Sequence, residues 1–211
     1  MKSRAWALLL VVILAGCTRV IDTPRPKAEA PVAPITAGQV GELLSPEAIG
    51  GEGNLFSTVE PLECAGVARE VDPPFIDDHR PAATDGGHWT VEQPETYIEE
   101  MVGVFRADFD PRKALAHTRT GIESCRGKPF TVTTMRGREY EFQLQPPMES
   151  GSPDIVLWSF RAVDWACDSA FVAAHNAAVE ISTCGPTGGY DVLSLARDAS
   201  KRIAALANTT A

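Results

Sequence analysis

The chain has 211 residues, with 19 basic and 28 acidic side chains for a net charge of −9, and 44% of its residues are hydrophobic. That length and apolar share suit one domain able to bury a core. The acidic balance argues against nucleic acid or anionic lipid as the natural partner.

At the start, Lys2 and Arg4 precede an apolar run from Ala5 to Leu14, too short to span a bilayer, and Ala15-Gly16 supply the small residues of a cleavage site. Leu14-Ala15-Gly16-Cys17 resembles the bacterial lipobox, so residues 1–16 are expected to be a signal peptide and Cys17 the lipidated N-terminus. The expected location is the outer face of the cell membrane, with acyl chains on Cys17 making the membrane the first partner. Loss of Lys2 and Arg4 leaves 17 basic against 28 acidic residues, a mature charge of −11. Residues 17–41, with Pro24, Pro26, Pro31 and Pro34, read as a semi-extended tether. A domain over 42–207 and a flexible tail at 208–211 complete the chain.

Within the domain, Ser45-Pro46-Glu47 is a helix-start signal and Gly50-Gly51 a stop, which predicts a short helix between them. Asp110-Pro111 repeats the signal for a helix to about Ser124. A third helix starts near Asp191, with Val192, Leu195, Ala199, Ile203 and Leu206 on one stripe. Alternation predicts strands over 97–105, 130–134, 139–145, 154–161, 168–174 and 177–183. Consecutive strands with helices grouped around them predict an α+β fold with an antiparallel sheet and about three helices.

Besides Cys17 there are four cysteines, Cys64, Cys125, Cys167 and Cys184, and an exported chain favours two disulfides. If His175-Asn176 is a two-residue turn, cross-strand partners have numbers summing to 351, which Cys167 and Cys184 satisfy. Counting out from Ala174 and Ala177 puts these cysteines at a non-hydrogen-bonded position, where side chains approach closely. Cys64 is then left for Cys125. The same register places Ala170, Val172, Val179 and Ile181 on one face, the seat for the last helix. Phe171, Glu180 and the disulfide share the other face, which suits either a cleft or a plain solvated face.

Catalytic chemistry finds little support. Gly151-Ser152-Pro153 lacks a nucleophile elbow, Asp77-Asp78-His79 with His88 fits no metal spacing, and Gly51-Glu52-Gly53 follows a helix signal rather than a strand. No catalytic set, metal or cofactor is expected, and the chain is read as not an enzyme. The densest aromatic and charged group is Trp158, Phe160 and Trp165 with Arg161 and Asp164; it reads first as core aromatics beside an ordinary Arg161-Asp164 surface pair, and otherwise as a ligand site lined by Trp158, Arg161 and Trp165.

Several segments together resemble one family. They are Leu43-Leu44-Ser45-Pro46-Glu47-Ala48-Ile49-Gly50, Glu63-Cys64, the strand at Val102 to Phe105, Cys125-Arg126-Gly127-Lys128, Trp165-Ala166-Cys167, the run from His175 to Gly185, and the closing helix. In that order they resemble the PknH-like extracellular (sensor) domain, found outside a mycobacterial receptor kinase and in lipoproteins without a kinase. The resemblance implies an α+β fold, first-to-second and third-to-fourth disulfides, a cleft for an unidentified ligand, and no catalytic residues. Ile122 stands where the family often has Trp, which puts ligand preference at issue. The function expected is a lipid-anchored ligand-binding or sensing domain of the envelope, its partner an unknown small ligand or envelope protein. The alternative is a structural or assembly lipoprotein acting through protein contacts.

Overall fold

The computed structural model describes residues 34–50 and 54–209. The expected signal peptide, Cys17 and residues 18–33 of the tether lie outside the described residues. Eight strands, β1 (Phe56–Glu60), β2 (Ala83–Glu92), β3 (Glu95–Val104), β4 (Pro129–Thr134), β5 (Glu139–Leu144), β6 (Ile155–Arg161), β7 (Ala166–Ala174) and β8 (Ala177–Gly185), form one antiparallel sheet in the order β1-β4-β5-β6-β7-β8-β3-β2. Two helices of four residues, α1 (Ala65–Ala68) and α2 (Pro74–Asp77), precede the long ones, α3 (Pro111–Cys125) and α4 (Val192–Thr209). Two 3-10 segments, Ala37–Leu43 and Leu62–Cys64, complete the elements.

The hairpin forms in the register that the sequence predicts. Ala174 faces Ala177, His175 takes a positive φ of 52°, and Cys167 faces Cys184 with Cα atoms 4.2 Å apart in a disulfide. Asn176 does more than turn the chain. Its side chain is buried, donating to Ile35 O and Phe105 O while accepting from the Ile35 N–H. The second disulfide, Cys64–Cys125, ties the segment after β1 to the end of α3.

Each face of the sheet buries its own core. On one side Ile98, Val102, Ala170, Val172, Val179 and Ile181 meet Val192, Ala196, Ala199 and Ile203 of α4. On the other, Phe75 of α2 and Leu115 and Ile122 of α3 cover Trp158, Phe160 and Phe171. α3 begins as predicted, because the Asp110 carboxylate accepts from the Arg112 and Lys113 N–H groups at 3.1 and 3.2 Å.

The chain before β1 departs from expectation. No helix follows Ser45-Pro46; the Ser45 N–H donates to Glu100 Oε2 at 2.6 Å and Ile49 pairs with His88 in an isolated bridge. Ile49 gives its N–H and C=O to His88 of β2, backbone groups that a helix from Ser45 would have used, and Arg202 of α4 ion-pairs the Glu100 carboxylate at 2.5 Å. Glu100 still sits above the usual carboxylate range, because burial outweighs the Arg202 charge. Ile35 and Leu43 are buried, so the domain takes in residues 35–41, which the sequence reading gave to the tether. At the other end α4 runs on to Thr209, into the stretch expected to be a tail.

Candidate functional site

The two edges of the sheet curl toward each other. Phe56 on β1 and His88 and Thr90 on β2, at opposite ends of the strand order, line one cavity of about 370 Å³ together with Asn54, Tyr97, Arg136, Arg138, Tyr140 and Trp165. A second cavity of about 200 Å³ adjoins it through the shared residues Glu70, His88 and Glu99, and continues to Met101, Glu180 and Ser182. The result is one concave groove on the face opposite α4.

Strand alternation aims these side chains. Glu99 faces His88 on one side and Ser182 on the other, while Met101 faces Gly86 and Glu180, so the alternate residues of β2, β3 and β8 share the concave face. Gly87 lets segment 48–49 lie close over β2; a Cβ there would sit 2.9 Å from Ala48 Cβ. Glu70 enters from the loop after α1 and its Oε2 accepts from the Phe56 N–H at 2.8 Å.

The acidic end has an unusual electrostatic state. Burial pushes Glu70 up to about 7, against the lowering effect of the Phe56 N–H and the Ser182 hydroxyl. Burial, with the Glu70 charge adding to it, pushes Glu99 up to about 9. Glu180 is raised well above the usual range by burial, then by Glu70 and Asp77, and its Oε2 is buried without a hydrogen-bond partner among the described residues. Burial disfavours the charged form of all three carboxyls, and at Glu99 and Glu180 the neighbouring Glu70 charge disfavours it further. Among the described residues no group of His, Cys, Asp or Glu is arranged to hold a metal ion.

The other end is aromatic and basic. Trp165 stacks on Tyr97 at 5.8 Å and lies 5.8 Å from Tyr140, over which the Arg138 guanidinium sits at 4.6 Å. The Trp165 Nε1 is buried with no hydrogen-bond partner among the described residues.

The three residues chosen from the sequence do not form one site. Trp165 is in the groove. Trp158 is a core residue, 2% exposed, its Nε1 donating to Val67 O at 2.8 Å and its ring meeting Phe75 edge-on. Arg161 points to the α4 side, where it pairs with Asp168 Oδ1 and donates to Cys167 O, each at 2.5 Å. Asp168 is buried, and its other oxygen accepts from the Gly189 N–H at 2.7 Å. Arg161 therefore pairs with buried Asp168 rather than with Asp164 at the surface, and residues three apart on one strand necessarily face opposite ways. Ile122 is buried on α3 and lines, with Trp158 and Arg119, a separate surface hollow. Sequence reasoning missed Glu70, Glu99, Tyr97, Tyr140, Arg136 and Arg138. The available signal was Glu180 on the polar face of the hairpin, from which the β8 to β3 pairing leads to Glu99.

Residues 26–206 match the model of a family described as PknH-like extracellular domain. The crystal structure of the extracellular domain of PknH from Mycobacterium tuberculosis is similar at a TM-score of 0.62 and 18% identity, covering 84% of this chain and 99% of that one. At that identity the likeness shows the fold. CalU16 from Micromonospora echinospora is matched over 59% of this chain and 86% of its own at 9% identity and a TM-score of 0.27, too low to carry an argument. No curated protein matches the chain significantly.

Proposed function

This chain belongs to the PknH-like extracellular domain family, and from that premise we propose that it is a lipid-anchored, non-catalytic binding domain whose concave groove captures a small ligand at the outer membrane face. The observation that carries the reading is a groove lined by Glu180 and Trp165, whose buried Oε2 and Nε1 have no hydrogen-bond partner among the described residues. A buried polar atom without a partner costs roughly 1–3 kcal/mol, and a ligand that supplies the partner recovers it. Two long-range pairings, Cys64–Cys125 and Cys167–Cys184, suit an oxidising compartment. No helix among the described residues is long and apolar enough to cross a membrane. Attachment is assigned to Cys17, on the lipobox alone.

Native mass spectrometry of protein taken from its own envelope tests the binding. A retained small molecule, lost when Trp165→Ala is made, is the expected result; equal retention by the variant places the ligand elsewhere. Cys17→Ala tests the anchor separately. The variant should leave the membrane fraction, and its persistence there in high salt would refute lipidation.

A further inference from the structure

We infer that the groove takes a zwitterionic small molecule, its ammonium held by Glu99 and Glu180 and its anionic group by Arg136 and Arg138. The inference rests on the reading of the groove as a binding site and adds the chemistry of the ligand.

At the acidic end, no Lys or Arg among the described residues lines the cavity that holds Glu70, Glu99 and Glu180. Glu70 spends one oxygen on the Phe56 N–H. Glu180 lines the cavity and its buried Oε2 has no hydrogen-bond partner among the described residues, and the Glu99 carboxyl makes neither ion pair nor hydrogen bond among them. An ammonium brings three donors and a positive charge, which is what this set lacks. A metal ion is the poorer fit, because the described acids and imidazoles nowhere converge as a ligand group.

At the other end, the Arg136 guanidinium meets no acid among the described residues, and Arg138 has only a 3.8 Å contact with exposed Asp164 beside its seat over Tyr140. Both face the cavity. Tyr97 and Trp165 line the same cavity as the two arginines. Tyr97 is four residues from Met101 along β3, so the groove floor runs about 14 Å from the Glu180 level to the aromatic stack. A ligand with its charges at opposite ends and an apolar body fits this order of surfaces.

Binding has a proton balance. The acidic set with Asp77 and His88 facing it holds its carboxyl protons in the free protein, and an arriving ammonium favours the carboxylate form. A carboxyl proton leaves to buffer as the ion pair forms.

Isothermal titration of the full chain with three matched probes, 8-aminooctanoate, octylamine and octanoate, in buffers of different ionisation enthalpy, tests the assignment. We expect 8-aminooctanoate to bind at least about tenfold more tightly than either singly charged probe, with release of about one proton near pH 6.5. Glu99→Gln should bring its affinity down to that of octanoate and remove the proton release, and Arg136→Ala with Arg138→Ala should bring it down to that of octylamine. Equal affinity for octanoate and 8-aminooctanoate, or binding of none of the three, overturns the charge assignment. A natural ligand that lacks an amine, yet is retained and lost with Trp165→Ala, refutes this inference while leaving the groove as the binding site.

Discussion

Replacing Glu99 by Gln removes a proton-binding group from the groove and keeps its shape, which changes how stability depends on pH. Folding raises Glu99 to about 9, mainly through burial, whereas a glutamate in the unfolded chain titrates near ~4.3. Between those values the folded chain holds a proton that the unfolded chain has lost, so stability is fully present below about pH 4 and falls as pH rises toward about 9. This is the reverse of a salt-bridged carboxylate. One such proton costs about 1.4 kcal/mol per pH unit, which from about pH 5 to about pH 8 sets a ceiling near ~4 kcal/mol. The effective dielectric inside real proteins brings the expected figure to about 2 kcal/mol. Urea unfolding of both proteins at the two pH values measures it through the midpoint at constant slope. Glu99→Gln should equal the parent near pH 5 and exceed it by about 2 kcal/mol near pH 8. The same loss of stability with pH in both proteins would refute the protonated state assigned to Glu99.

Trp158→Ala should cost about 3–5 kcal/mol, read from the urea midpoint, because it empties a core site between Phe75 and Val67. A loss below about 1 kcal/mol would refute the core role of Trp158. Arg161→Ala should cost about 2 kcal/mol, reduced from a fully buried pair by solvent at the guanidinium, since it strands the buried Asp168. Ligand binding at the groove should survive that change, because Arg161 is on the other face. Cys167→Ala with Cys184→Ala should lower stability by roughly 3 kcal/mol in denaturant titration, from a closed loop of 17 residues. Trp165→Ala should abolish ligand retention at a stability cost near ~1 kcal/mol, the size of a lost aromatic pair.

The hairpin of β7 and β8 was legible because its turn, its alternation and its cysteines all demand one register. α3 and α4 were legible from caps and stripes. β2 was not: Ala83–Glu92 carries two adjacent glycines and no alternation, and it is a strand because a ten-residue ladder with β3 holds it. The helix expected at Ser45-Pro46 gave way to a tertiary partner, His88 of β2, which pairs with the Ile49 backbone and which no local pattern shows. The groove itself depends on the sheet curling until β1 and β2 meet across a cavity, and on Glu70 arriving from a loop. Choosing Trp158, Arg161 and Trp165 by nearness in sequence ignored the period of two, which sends Trp158 and Arg161 to opposite faces and leaves only Trp165 in the groove.

The central claim is which face of the sheet binds. Backbone amide chemical shifts of the full chain, recorded before and after adding the small-molecule extract of its own envelope, measure that directly. The account predicts shifts at Thr90, Tyr97, Glu99, Trp165 and Ser182, with α4 unmoved. Shifts gathered on α4 or around Arg161 and Asp168, with the groove silent, would contradict it.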